Sequence, residues 1–155
     1  NNITFNNIKA NSESGIVIYG EGNNVIKRIK MTGISVKINS GVYSRKYGGN
    51  FDLRPSFSVK KGLFKRDIAA FYASGVKGLE LDDILLEWKN PTSSFFTNGL
   101  EVESFENLIV RNFNISAAYD HEKLFDIKLS KGENYKLIND LSFNKKTKIF
   151  YPKND

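Results

Sequence analysis

Val76-Lys-Gly-Leu79-Glu-Leu81-Asp-Asp-Ile84-Leu-Leu86 and Phe105-Glu-Asn-Leu108-Ile-Val110-Arg-Asn-Phe113-Asn-Ile115 are the same phrase written twice. Apolar residues fall at matching places in both. Each copy breaks its alternation at a polar pair, Asp82-Asp83 or Arg111-Asn112. Period-2 alternation on either side of a short polar step reads as two strands joined by a tight turn, with inward side chains at every second position. The second copy begins 29 residues after the first, a spacing in the range of solenoid repeats.

The phrase recurs outward in both directions. Ile3-Thr-Phe5-Asn-Asn-Ile8 has its form at the start of the chain, and Ile29-Lys-Met31-Thr-Gly-Ile34-Ser-Val36 repeats it. Tyr135-Lys-Leu137-Ile-Asn-Asp-Leu141-Ser-Phe143 fits with one extra turn residue. One such unit cannot bury its own apolar face, whereas a stack buries a continuous core between neighbours. The expected architecture is therefore an all-β solenoid of three-strand coils forming a single domain or fragment over residues 1–155. The first strand carries Ile16 and Ile18, the second Ile29 and Met31, and the third Ile34, Val36 and Ile38. The order recurs as Ala70 and Tyr72, Leu79 and Leu81, then Ile84, Leu86 and Trp88. It recurs again as Leu100 and Val102, Leu108 and Val110, then Phe113 and Ile115, while Phe125, Ile127 and Leu129 open a last coil. Asn7, Asp83 and Asn112 hold like positions at the polar turns, where left-handed backbone suits them. Asn1-Asn2-Ile3 enters a repeat without a polar cap, which predicts the C-terminal portion of a longer solenoid.

Residues 39–67 interrupt the repeat. Gly41, Gly48-Gly49, Pro55 and Gly62 predict loop or hairpin there, and Arg45, Lys46, Arg54, Lys60, Lys61, Lys65 and Arg66 make it basic. Insertions of this kind in solenoids often lie on the binding face.

Composition narrows the classes. Of 155 residues, 40% are hydrophobic and 13% aromatic, which places the chain among folded proteins. With no cysteine there is no disulfide framework and no thiolate zinc site. No apolar run has the length of a membrane span. The net charge of +6 suits a polyanionic partner. Nucleic acid would answer that charge, although the chain has no recognised nucleic-acid motif and no long basic helix, and an acidic polysaccharide or oligosaccharide would answer it equally.

Asp52-Leu-Arg-Pro55, Phe71-Tyr-Ala-Ser-Gly-Val-Lys-Gly-Leu79, Leu86-Glu-Trp88 and Leu100-Glu-Val-Glu103, set in this repeat, resemble the pectin-lyase-like superfamily, which implies a right-handed parallel β-helix. Within it they are most similar to the C-terminal coils of family 28 glycoside hydrolases, the polygalacturonase type. The resemblance implies hydrolysis of acidic, pectin-type glycans with inversion, no metal or other cofactor, and an extracellular or periplasmic location. That family uses clustered aspartates and a Gly-His-Gly motif. Gly-His-Gly does not occur here, and the sole histidine, His121, sits in a polar loop. The resemblance thus places catalysis in coils upstream of this segment. Its Arg-Ile-Lys motif, which grips the substrate carboxylate, is matched in letters by Arg28-Ile29-Lys30, although Ile29 is also the ordinary inward residue of a second strand. A non-catalytic glycan-binding β-helix of adhesin or tailspike type shares the repeat. So does a polysaccharide lyase, for which no calcium cluster stands out.

On the expectation that a ligand groove follows the first strands, alternation points Val17, Tyr19, Phe71, Glu101, Glu103, Asp126 and Lys128 outward. Strands in register stack about 4.8 Å apart, which sets Glu101 or Glu103 near Asp126 of the next coil. Carboxylates about 5 Å apart suit a retaining glycosidase and wider pairs an inverting one. The competing reading is a set of edge charges balanced by Lys128. For substrate binding the candidates are Tyr19, Arg28, Lys30, Tyr43, Arg45, Lys46, Tyr47 and Arg54. Tyrosines offer a face to a sugar ring, and an arginine grips a carboxylate through paired hydrogen bonds. Trp88 continues the inward alternation of Ile84 and Leu86 and is expected in the core.

Overall fold

A computed structural model describes residues 2–21, 24–52, 66–138 and 149–151. In chain order its elements are β1 (Ile3–Ser12), β2 (Ile16–Tyr19), β3 (Ile26–Asn39), α1 (Val42–Tyr47), β4 (Phe71–Lys89), β5 (Leu100–Asn114), β6 (Ile127–Ser130), β7 (Glu133–Ile138) and β8 (Ile149–Phe150). The fold is mostly β. All eight strands join one parallel sheet in the order β1-β3-β4-β5-β6-β8, with β2 beside β4 and β7 beside β5.

The repeated phrases lie directly on one another. Val76 pairs with Phe105, Leu79 with Leu108 and Ile84 with Phe113. Ile29 and Ile34 pair with Leu79 and Ile84 below, and Ile3, Phe5 and Ile8 with Ile29, Met31 and Ile34 above. Tyr135 and Leu137 continue the stack under Leu108 and Val110, while Leu141 and Phe143 lie outside the described residues. Branched and aromatic side chains suit such a pleated, half-buried surface. Their inward members Leu79, Leu81, Leu108, Val110 and Ile84 are all but inaccessible to solvent. Each such side chain contributes about 1.5–3 kcal/mol through burial.

The long strands bend where residues in left-handed conformation stack in files. One file holds Asn7, Gly33, Asp83 and Asn112 (φ 55, 66, 54 and 46), as the polar steps predict. A second holds Arg28, Gly78, Asn107 and Asn134, and a third Gly75, Ser104 and Lys131. Asn and Asp accept this conformation because a short side chain hydrogen-bonds locally. At Gly33 the reason is space as well: a Cβ there would lie 2.8 Å from Asn7 Oδ1.

Two expectations need correction. Phe71 faces inward, in line with Ile16, Leu100 and Ile127, whereas Tyr72 lies with Val17, Glu101 and Lys128 on the opposite face. The run Ile68-Ala-Ala-Phe-Tyr-Ala is apolar at every position, so alternation sets no phase there. The second correction concerns residues 42–47, which form the helix α1 rather than loop or hairpin. Its first turn is pinned by the Gly41 amide donating to Ser44 Oγ (2.7 Å) and the Ser44 amide donating to Glu13 Oε2 (2.8 Å). A helix of six residues is too short to show a 3.6-residue period in sequence.

Candidate functional site

The first segments of β4 and β5, with β2 and β6 beside them, present two outward files. One is Val17, Tyr72, Glu101 and Lys128; the other is Tyr19, Ser74, Glu103 and Ser130. Arg66, where the insertion returns to the sheet, lies across them. Its Nη2 donates to Glu101 Oε1 and its Nη1 to Glu103 Oε1, both at 2.8 Å. The guanidinium carbon sits 3.9 Å from the centre of the Tyr72 ring, which also stacks on Phe51 at 5.8 Å. One planar cation thus bridges two carboxylates and covers an aromatic face, a geometry lysine cannot reproduce.

Glu101 is only 4% exposed, so its charge depends on partners. Besides Arg66, Lys128 Nζ donates to Oε1 at 3.0 Å and Asn98 Nδ2 to Oε2 at 2.8 Å. Asn98 is itself fixed by accepting the Phe125 amide at 2.9 Å. The Tyr72 hydroxyl donates to Glu103 Oε1. Burial alone would raise the Glu103 carboxyl, but the hydrogen bonds from Tyr72 and Arg66, with the charges of Arg66 and Lys131, hold it below the usual carboxylate range. Burial, with the bond to Glu103, pushes the Tyr72 phenol up to about 12. Burial works against the Arg66 cation, yet Glu101, Tyr72 and Glu103 outweigh it and raise its pKa.

Chemically, the cluster is a neutralised ionic lattice. Glu103 is held ionised and so is not poised to donate a proton, and both carboxylates are occupied by donors. Lys128 does balance Glu101, but as part of a half-buried network centred on a buried carboxylate rather than a solvated edge.

The remaining candidates are dispersed. Asp126 stands level with Gly99, and its Oδ1 accepts the Ala117 amide at 2.7 Å, so it braces a loop instead of facing Glu101. Tyr19, 44% exposed, shares the Glu103 file at the β2 edge. Arg28 and Lys30 are exposed around the second strand, with Arg28 at a left-handed corner, so they lie away from the cluster. On α1, Tyr43 is 51% exposed and Arg45 and Lys46 point to solvent. Tyr47 is 6% exposed with Lys46 Nζ 5.2 Å from its ring centre, which withdraws it as a sugar platform. Arg54 lies outside the described residues. Trp88 packs on Phe96 at 5.1 Å between centroids while its indole N–H donates to Ser116 O at 3.0 Å.

Sequence reading passed over Arg66, Tyr72 and Asn98. Asn98 carried no signal, Tyr72 was hidden by the uniform apolar run, and Arg66 was one cation among seven in the insertion. Among the described residues no group of three or more His, Cys, Asp or Glu is placed to hold a metal, and no helix is long and apolar enough to cross a membrane. Comparisons of the chain with protein families, with curated proteins and with solved structures returned no match.

Proposed function

We propose that the chain winds as coils of a right-handed parallel β-helix and binds an acidic polysaccharide along the first-strand face, within an extracellular or periplasmic glycoside hydrolase of polygalacturonase type. The superposed repeats and the three files of left-handed residues support the winding. The observation that carries the binding role is the clasped pair Glu101 and Glu103. With these carboxylates satisfied internally, the cations left to meet a ligand are exposed Lys131 on this face and Arg45 and Lys46 on α1, with the exposed rings of Tyr19 and Tyr43 beside them. A uronic acid chain calls for cations that donate to its carboxylates and aromatic faces on which its sugar rings can rest. In such an enzyme this cluster organises the binding face, and proton transfer belongs to other residues.

The same observation favours a second reading, a binding module of adhesin or tailspike type that cuts nothing. Calorimetric titration with uronic acid oligomers, followed by chromatography of the mixture, separates the two. Heat of binding that weakens in Lys131→Ala and Arg45→Ala supports the binding face, and shortened oligomers mark the hydrolase. Unsaturated, ultraviolet-absorbing products would replace hydrolysis by elimination. Absence of any binding to acidic oligomers overturns the proposal.

A further inference from the structure

Where the first strands turn into the second, four charged residues stand in one row. Lys27 pairs with Lys77, Lys77 with Glu106, and Glu106 with Glu133, one from each of four successive levels. The order along the stack is therefore two cations and then two anions. Lys77 and Glu106 meet in the middle at 2.7 Å, whereas Lys27 and Glu133 at the ends are exposed and have no ion-pair partner among the described residues. The row borders a surface groove floored by Val76 and Phe105, with Val25 42% exposed at its edge.

Such a row is its own complement when reversed. Turning a second copy about a two-fold axis that crosses the row between Lys77 and Glu106, within the plane of contact, sets Lys27 against the partner copy's anionic end and Lys77 against its inner anion. Each contact occurs twice, as an isologous interface requires. The flanking rows do not oppose this. On one side the reversal sets Lys131 opposite Val25, and on the other Arg28 opposite Asn134, so no like charges meet. A parallel arrangement would instead place lysine on lysine and glutamate on glutamate.

We propose that this corner is a homodimer interface, in which a second copy of the chain packs antiparallel, with Val25 and the apolar floor enclosed by the four cross-pairs. The partner is chosen by charge order, and complementary potentials of this kind set register and partner more than raw affinity.

Sedimentation over a concentration series tests it. At ionic strength of about 0.02 M the chain should dimerise, and in about 1 M salt, where the screening length is about 3 Å, the association constant should fall at least about tenfold. An all-acidic row (Lys27→Glu with Lys77→Glu) and an all-basic row (Glu106→Lys with Glu133→Lys) should each stay monomeric, yet form a dimer when mixed. Zero-length carbodiimide cross-linking of the unaltered chain gives an answer even if these variants fail to fold. Lys27 and Glu133 are three levels apart, about 14 Å at ordinary strand spacing, so a bond between them forms only between two molecules. Recovery of that cross-linked peptide from the dimer supports the interface. A chain that remains monomeric up to about 0.1 mM at low salt, a dimer lacking that cross-link, or variants that dimerise by themselves would each overturn it.

Discussion

The second strands and the first strands of this chain are built differently. The second strands, around Leu79 and Leu108, repeat a fixed pattern with every inward position apolar and, Arg28 apart, every bend marked by Gly, Asn or Asp. The first strands, around Tyr72 and Glu101, carry buried polar groups on one face and owe their arrangement to a residue from outside the repeat, Arg66. One region is held by stacking of like on like. The other is held by a particular network. Stability rests on the first, and chemical individuality on the second.

This contrast makes graded predictions. The largest effect belongs to the repeat: Leu108→Ala should cost about 2–5 kcal/mol, through lost transfer energy and the cavity left behind. Urea denaturation with two spectroscopic probes measures it, and a loss below 1 kcal/mol would mean the stacked phrases do not carry the core. Arg66→Ala should cost less, about 1–3 kcal/mol, because Lys128 and Asn98 still serve Glu101. Arg66→Lys should recover little of that loss, since an ammonium cannot bridge both carboxylates. Full recovery by lysine would show that charge alone matters and would erase the distinction between the two regions.

Gly33→Ala should cost about 1–2 kcal/mol for left-handed backbone, added to the approach to Asn7 Oδ1. Asp83→Gly at the matching bend should be close to neutral, so a comparison of denaturation midpoints isolates space from backbone conformation.

The smallest effect is a pH slope. The Glu103 carboxyl is lowered in the folded state, so its stabilisation is present above the unfolded value of about 4.3 and is lost as pH falls through the lower folded value. Glu103→Gln should flatten the acid limb of the stability profile there and leave the slope near neutrality alone. Tyr72 has the opposite sign. Its phenol is raised to about 12, so stability is present below about 10 and declines as pH rises between these values. Tyr72→Phe should remove that decline. An unchanged alkaline limb would place the phenol outside the network.

What was readable in sequence follows the same division. Copies with strong alternation, such as Leu79-Glu-Leu81 against Leu108-Ile-Val110, align by inspection, and the observed pairing joins them residue for residue. One file of bends was readable because Asn7, Asp83 and Asn112 mark left-handed backbone, whereas the files through Arg28 and through Ser104 and Lys131 carry it at residues that give no such signal. Phase failed at Phe71 and Tyr72, where every residue is apolar and period 2 carries no information. In the candidate site, Glu101, Glu103 and Lys128 were visible because register fixes neighbours on adjacent strands. Arg66 was not, since a side chain arriving from an insertion is placed by tertiary packing and leaves no periodic trace. Asp126 misled because proximity in the stack does not say which way a carboxylate turns when a loop amide competes for it.

The intervals between paired residues carry a last consequence. From Ile3 to Ile29 the stack advances one level in 26 residues, from Ile29 to Leu79 in 50, and from Leu79 to Leu108 in 29. The ladder takes no account of how much chain is spent between its rungs. Closing a loop of twice the length costs only about 0.6 kcal/mol more, so the scaffold separates its grammar from its vocabulary. The connection that follows Asn39 can change in length while the rungs keep their places, provided that Phe51 still reaches Tyr72 and Arg66 still reaches Glu101 and Glu103. That makes it the natural point at which to graft a new recognition surface.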